Sequence, residues 1–465
     1  MISKNLALQV LNAGLTTGAD FVEIFLEEKP TLALQVENGL VKEIDSALTY
    51  GAGIRLLKGV QSVYGSTNDL SKKGLLKLAS QLSASFVGTP VKTVEKIKRK
   101  RSRNYYPAEK PLAEVPMEEK IALMKECSNL MLEYDPSIKI ARVFFAESEQ
   151  KVTIFNSDGW QFEDLRPRLR MFFLPIAVGP NGMETAGEGP GAMGGWEFFT
   201  DIHDAKKTAL KTAEQAVRTL NAKECPSGKM PVVIGNGFGG VIFHEACGHS
   251  LEASSVSKGL SVFAGKLGEQ IASPVVTAID DGTIEKGWGS INIDDEGIPS
   301  QKKVLIKDGV LQNYMIDLLS GRRMNAAPNG ASRRQSYRFE PTSRMTNTYI
   351  ANGKSTPEEI IASVKLGLYA KSLGGGSVNP TTGEFNFACS EAYIIRDGRV
   401  CEPVKGASLV GSGAEILKNI TMVGNDLRRS QGMCGAASGN IPTDVGQPTI
   451  LVSEITVGGR GGKLE

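Results

Sequence analysis

Phe243-His244-Glu245-Ala246-Cys247-Gly248-His249-Ser250-Leu251-Glu252 is the stretch on which the reading of this chain turns. It holds two of the three histidines in 465 residues, and they flank a glutamate. His-Glu-x-x-x-His supplies what a hydrolytic metal centre needs: two neutral imidazoles for a borderline-soft cation, and a carboxylate to take a proton from its water. In the common zinc-protease motif the histidines stand at i and i+4 on one helix face. Here they are five apart, about 140° round an ideal helix at roughly 100° per residue, so a straight helix would aim them apart. Gly248 permits a kink, a π-bulge or a helix end, any of which would turn His249 back toward His244. A distorted helix is therefore predicted.

Two histidines leave a catalytic site one protein ligand short. Glu252 is a candidate by proximity. Cys434, in the Gly-rich turn Gly432-Met433-Cys434-Gly435, is better placed to approach an ion without crowding, and as a thiolate it would complete a Cys-His-His set. Cys247, three residues after His244, could reach the ion but reads at least as well as a small buried thiol, and His203, in a polar stretch, reads as a surface residue. Asp280-Asp281 and Asp294-Asp295-Glu296 have the chemistry of a hard-cation site but read more simply as strand-end turns.

The run His244-Glu245-Ala246-Cys247-Gly248-His249-Ser250-Leu251-Glu252 resembles the HEAxGHxLE signature of the TldD/PmbA family of metalloproteases, in its TldD-type, metal-bearing form. Similar stretches continue through Ala278-Ile279-Asp280-Asp281-Gly282-Thr283, Asp294-Asp295-Glu296-Gly297, Arg344-Met345-Thr346-Asn347-Thr348-Tyr349, Ser390-Glu391-Ala392-Tyr393, Pro403-Val404-Lys405-Gly406-Ala407 and Val445-Gly446-Gln447-Pro448-Thr449. The N-terminal half is similar mainly in pattern, through Gly51-Ala52-Gly53-Ile54-Arg55. The resemblance implies that His244, His249 and Cys434 bind zinc or another divalent transition metal and that Glu245 is the general base. It also implies proteolysis of unfolded or extended peptides, peptide maturation included, by a homodimer or by a heterodimer with a PmbA/TldE-type subunit. Family members often follow Leu-Glu with Gly-Asp, where this chain has Ala253-Ser254. Two other readings are a metal-free structural or regulatory subunit, which the intact ligand set argues against, and a DNA- or gyrase-associated modulator.

Outward from the motif, 465 residues exceed one ordinary core, and 41% hydrophobic residues suffice for two. Lysine and arginine number 53 against 51 acids, a balance that does not point to nucleic acid. No apolar run of about 18 residues and no leader is read, and Cys127, Cys225, Cys247, Cys389, Cys401 and Cys434 form no CxxC pair. A cytoplasmic protein with reduced thiols is expected.

The expected fold class is α+β, divided near Pro226-Ser227-Gly228 into 1–222 and 223–465. The first part, expected to face substrate or partner, reads as an antiparallel meander of strands at 21–27, 31–36, 40–44, 53–57 and 59–64, with a turn at Asn38-Gly39. Helices at 6–15, 70–85, 117–133 and 204–220 cover it. The basic run 96–103 reads as a solvated, mobile linker, and 180–195 as a long loop. The second part reads as mostly antiparallel β, carrying the distorted helix, with strands that include 290–294, hairpin turns at Asp308-Gly309 and Asp397-Gly398, and a helix at 357–369. Gly235-Asn236-Gly237-Phe238-Gly239-Gly240 matches GxGxxG. The second strand ending in an acid that a dinucleotide-binding unit would have, about twenty positions on, is missing, so these glycines are better explained by close backbone packing or by amide donors brought near the metal, where a tetrahedral oxyanion would form.

Overall fold

The computed structural model describes residues 2–180, 182–378, 383–462 and 464. Asn38 and Gly39 take φ of 50° and 74°, the left-handed pair that a two-residue hairpin turn requires. They fold Phe21–Glu37 back on Leu40–Lys58. Gln61–Thr67 on one side and Ile138–Asn156 and Trp160–Gly179 on the other extend the pair into an antiparallel meander within an eight-stranded sheet. The strands are longer than the sequence pattern suggested. Pro30 interrupts the alternation, and the ladder to Ile138–Asn156 skips Lys29 and Pro30, yet pairing with Leu40–Lys58 runs through both.

Side chains alternate across this sheet, and the alternation gives it two roles. Val22, Ile24, Leu26, Leu34 and Val36 pack under four helices, Lys4–Leu15, Lys72–Ser83, Met117–Tyr134 and Ala205–Leu220. The odd positions turn the other way, toward the later chain. Phe25 packs with Ile293 and Tyr337, Glu27 accepts the Tyr337 amide at 2.7 Å, and Glu23 pairs with Arg334.

Three expectations for this part and the next need correction. The basic run is not a free linker: Lys98–Arg99 pairs in parallel with Trp160 and Gln161, and Tyr106 is buried with its hydroxyl on Asp164 at 3.0 Å. The stretch expected as a long loop contributes Gly182–Thr185 and Gly191–Met193, both paired to Trp160–Gly179. Residues 290–294 form no strand: Ile293 makes only an isolated bridge to Pro299, and the chain turns just after it, where Asp294 Oδ1 accepts the Glu296 and Ile298 amides, each at 2.9 Å.

From Lys223 the described residues build a two-stranded sheet, Ser332–Arg333 with Thr342–Ser343, and two further large sheets. One runs in the order Leu366–Val378, Gly228–Ile234, Ile450–Gly458, Ser408–Ser412, Glu384–Arg396, Arg399–Lys405, Lys223–Glu224. The other runs Val310–Leu311, Lys302–Lys307, Ala278–Asp281, Asn347–Ile350, Gly439–Gln447, Arg428–Ala436. Most pairs are antiparallel, as expected for an α+β chain of this pattern. The helix expected at 357–369 stops at Ala362, since Leu366–Val378 leaves it to pair with Val232, Val233 and Ile234. Asp308-Gly309 and Asp397-Gly398 are left-handed turn pairs. The glycines after Ile234 serve packing: a Cβ on Gly240 would lie 2.4 Å from the Gly446 backbone. Val241, Ile242, Phe243, Ala246, Cys247 and Leu251 are buried in a core to which both sheets contribute, so the histidine segment is wedged between them. Among the described residues no helix is long and apolar enough to cross a membrane.

Candidate metal centre

Val241–Phe243 is α-helical, His244–Gly248 widens into a π-turn, and His249–Leu251 tightens to 3-10 geometry. The His249 amide donates to the His244 carbonyl, five residues back. That widened turn brings i and i+5 to the same side, and the two imidazoles lie 5.1 Å apart with planes at 83°. Gly248 has ordinary helical angles, φ −54° and ψ −51°. Its lack of a side chain therefore serves packing: a Cβ there would meet Met345 Sδ at 2.3 Å.

Cys434 arrives from the other direction, on Arg428–Ala436, the edge strand of the six-stranded sheet, where it sits opposite Ile441. Its Sγ is 3.2 Å from His244 Nε2 and 3.2 Å from His249 Nε2. The three donor atoms all lie within 4.8 Å of one another. Metal bonds of about 2.0–2.1 Å to nitrogen and about 2.3 Å to sulfur put the ligand atoms of a tetrahedral ion roughly 3.3–3.7 Å apart. Two imidazoles and a thiol at this spacing fit a divalent transition ion with little movement.

Electrostatics agree with the geometry. Burial alone would raise the Cys434 thiol, but His244 and His249 beside it bring it down to about 4. Burial alone would lower His249, but the Glu252 charge and hydrogen bonds from Cys434 and Glu252 raise it well above its usual value. At neutral pH the protein on its own thus holds a thiolate against an imidazolium. A cation can replace that proton, which is how metal binding couples to ligand ionisation.

Glu252, weighed above as a ligand, lies behind the site. Its Oε2 is 3.2 Å from His249 Nδ1, so it orients the ring and fixes which nitrogen faces Cys434. Arg344, fully buried, stands 3.8 Å from Glu252 Oε1 and donates to the Cys434 carbonyl at 2.6 Å and to the Gly439 carbonyl at 2.9 Å. It clamps the histidine segment to the cysteine hairpin. Sequence reasoning gives it no role: the stretch 344–349 is read for its likeness to the family, and that likeness does not say what the Arg344 side chain touches.

The remaining candidates lie elsewhere. Cys247 Sγ turns to the Gly413 carbonyl at 3.5 Å, and His203 is half-buried, stacked on Phe198 at 5.5 Å. Asp280 is occupied by Thr346, Thr348 and Lys303. Glu245 faces open space. With His244 and Cys434 it lines a cavity of about 180 Å³, closed by Phe238, Phe387, Met433 and the glycines at 374–376. Its Oε2 is 3.7 Å from His249 Nε2.

Comparison with known proteins places this geometry. The family models described as PmbA/TldA metallopeptidase domain 1, central domain and C-terminal domain match residues 22–85, 110–220 and 227–459. A Haemophilus influenzae protein named metalloprotease TldD homolog is 37% identical over 95% of this chain and 93% of its own. A Methanothermobacter thermautotrophicus protein named metalloprotease is 31% identical over 95% of this chain and 96% of its own. Among solved structures, TldE from Thermococcus kodakarensis superposes with a TM-score of 0.76 at 18% identity, over 97% of this chain and 99% of that one. That last likeness concerns the fold.

Proposed function

The chain belongs to the PmbA/TldD metallopeptidase family, and on that premise we propose that it is a zinc-dependent protease acting on unfolded or extended peptides. His244, His249 and Cys434 hold the ion, with another divalent transition metal as the alternative to zinc. The observation that carries this reading is the convergence of two imidazoles and a thiol at 3.2 Å beside a carboxylate on an open cavity. A metal bound there supplies Lewis acidity to a peptide carbonyl and to water. Glu245 takes the proton of the attacking water and returns it to the leaving amine. Glu252 and Arg344 keep His249 and Cys434 aimed while this happens.

Among the described residues Arg428–Ala436 pairs with one other strand, and we assign an extended peptide to its remaining edge, through the backbone groups not already taken by Arg170, Trp288 and Arg344, a mode that tolerates many sequences. We place the protein in the cytoplasm, a setting that suits its six free cysteines. We divide it into residues 1–222, facing substrate or partner, and 223–465, bearing the site. A TldE-type partner is supported by the fold likeness to TldE, and a homodimer is the alternative. The test is metal content and cleavage of an unstructured peptide for wild type and Glu245→Gln. The proposal predicts about one metal ion per chain in both, and a loss of roughly 10²–10⁴-fold in kcat in the variant. A metal-free wild type would return the structural-subunit reading.

A further inference from the structure

A second cavity, about 240 Å³, opens where the odd-position face of the first sheet meets the Cys434 hairpin. Met433 lines both this cavity and that of the metal centre, so the two adjoin at that residue. Its walls carry five cations, Lys29, Arg166, Arg168, Arg333 and Arg334, against two carboxylates, Glu147 and Asp295. Both carboxylates are engaged: Asp295 accepts Arg166 Nη1 at 2.7 Å and the Arg334 amide at 2.6 Å, and Glu147 accepts Lys120 Nζ at 2.7 Å.

The arginines divide into two kinds. Arg166 is matched by Asp164 and Asp295 and donates to the Ile293 carbonyl, and Arg334 is matched by Glu23 and stacks over Phe25 at 4.2 Å. Arg168 and Arg333 are only 7% and 3% exposed, and among the described residues neither has a carboxylate partner. Each donates to one carbonyl, Arg168 to Trp288 at 3.4 Å and Arg333 to Met345 at 2.7 Å. Burial and the charge of Arg166 lower Arg168 to about 10, and burial and the charge of Arg168 lower Arg333 to about 9. Two guanidiniums that repel each other out of bulk water are costly to keep, and a carboxylate is a group that a guanidinium fork matches with two parallel hydrogen bonds.

We propose that Arg168 and Arg333, with Lys29 beside them, form a carboxylate-recognition subsite of the peptide groove, beyond Met433 from the metal. It takes an acidic side chain near the scissile bond or the free C-terminus of a short substrate. This inference rests on the peptidase reading above.

The test separates binding from cleavage. One labelled peptide is made with Asp or Asn at each position in turn, and with a free or amidated C-terminus, and its affinity is measured for full-length Glu245→Gln protein and for the same protein carrying Arg168→Met or Arg333→Met. The acid form should bind roughly tenfold tighter or more than its neutral counterpart, and each methionine variant should bring that ratio to about one. Glutarate should compete for the acid peptide where glutaramide does not, a readout that stands even if a variant misfolds. The Asp and C-terminal arms identify which carboxylate is read. Equal affinities for all forms, or a ratio retained in both variants, would overturn the proposal. If the preference holds while wild type cleaves none of these peptides, the anion subsite stands and the peptidase reading falls.

Discussion

Two buried polar clusters in this chain are settled in opposite ways. At the seam between the first sheet and the loops after the histidine segment, Arg55 Nη2 bonds Glu23 at 3.0 Å and Glu296 at 2.6 Å, and Glu23 also pairs with Arg334. Every charge there has a counter-charge from the chain itself. At the metal centre His244 Nε2 and His249 Nε2 each lie 3.2 Å from Cys434 Sγ, and His244 Nδ1 is buried without a partner among the described residues. The first cluster is balanced charge for charge by the chain itself and joins two parts of it, although Arg55 Nε and Nη1 and Arg334 Nε and Nη1 are buried without hydrogen-bond partners among the described residues. The second becomes complete with a cation, and that contrast, more than the presence of histidines, marks it as a site.

The contrast breaks most sharply at the centre. His244→Ala should abolish metal retention and reduce peptide cleavage to background while the fold persists, as metal analysis and circular dichroism on the same sample would check. The seam should respond in the other currency. Arg55→Met leaves Glu296 buried without its cation and should cost about 3–5 kcal/mol in urea unfolding, with metal content unchanged. A variant that lost metal as readily as stability would mean that the two clusters are not independent.

Smaller effects sharpen the picture. Glu252→Gln keeps the shape behind His249 but weakens its orienting bond, and should lower metal affinity by about 10–100-fold in a chelator competition. In metal-stripped protein Cys434, held down to about 4, should be alkylated selectively over Cys247, whose thiol burial raises. Because a depressed acid regains its proton only as pH falls through its lowered value, labelling should persist through mildly acidic pH and fade toward pH 4. Added metal should block it.

What was legible in the sequence was local chemistry. Asn38-Gly39, Asp308-Gly309 and Asp397-Gly398 are turns wherever they occur, since few residues accept positive φ. The helical periods of Lys72–Ser83 and Ala205–Leu220 are equally local. His244, His249 and Glu245 stood out because histidine is so scarce here, whereas Cys434 rested on its Gly-rich turn and on the family resemblance. The π-turn was open as one of several distortions, but the reason for Gly248 was not, since Met345 is nearly a hundred residues away. Arg344, the docking of Lys98–Arg99 against Trp160, and the early end of the helix at Ala362 all depend on partners that only the folded chain brings near.

The central claim is that Cys434 and the two histidines share one ion, and cobalt titration of metal-stripped protein tests it most directly. Wild type should saturate near one equivalent with a thiolate-to-cobalt charge-transfer band, and Cys434→Ser should lose that band. A band of equal intensity in the variant, or saturation of the wild type without one, would contradict the account.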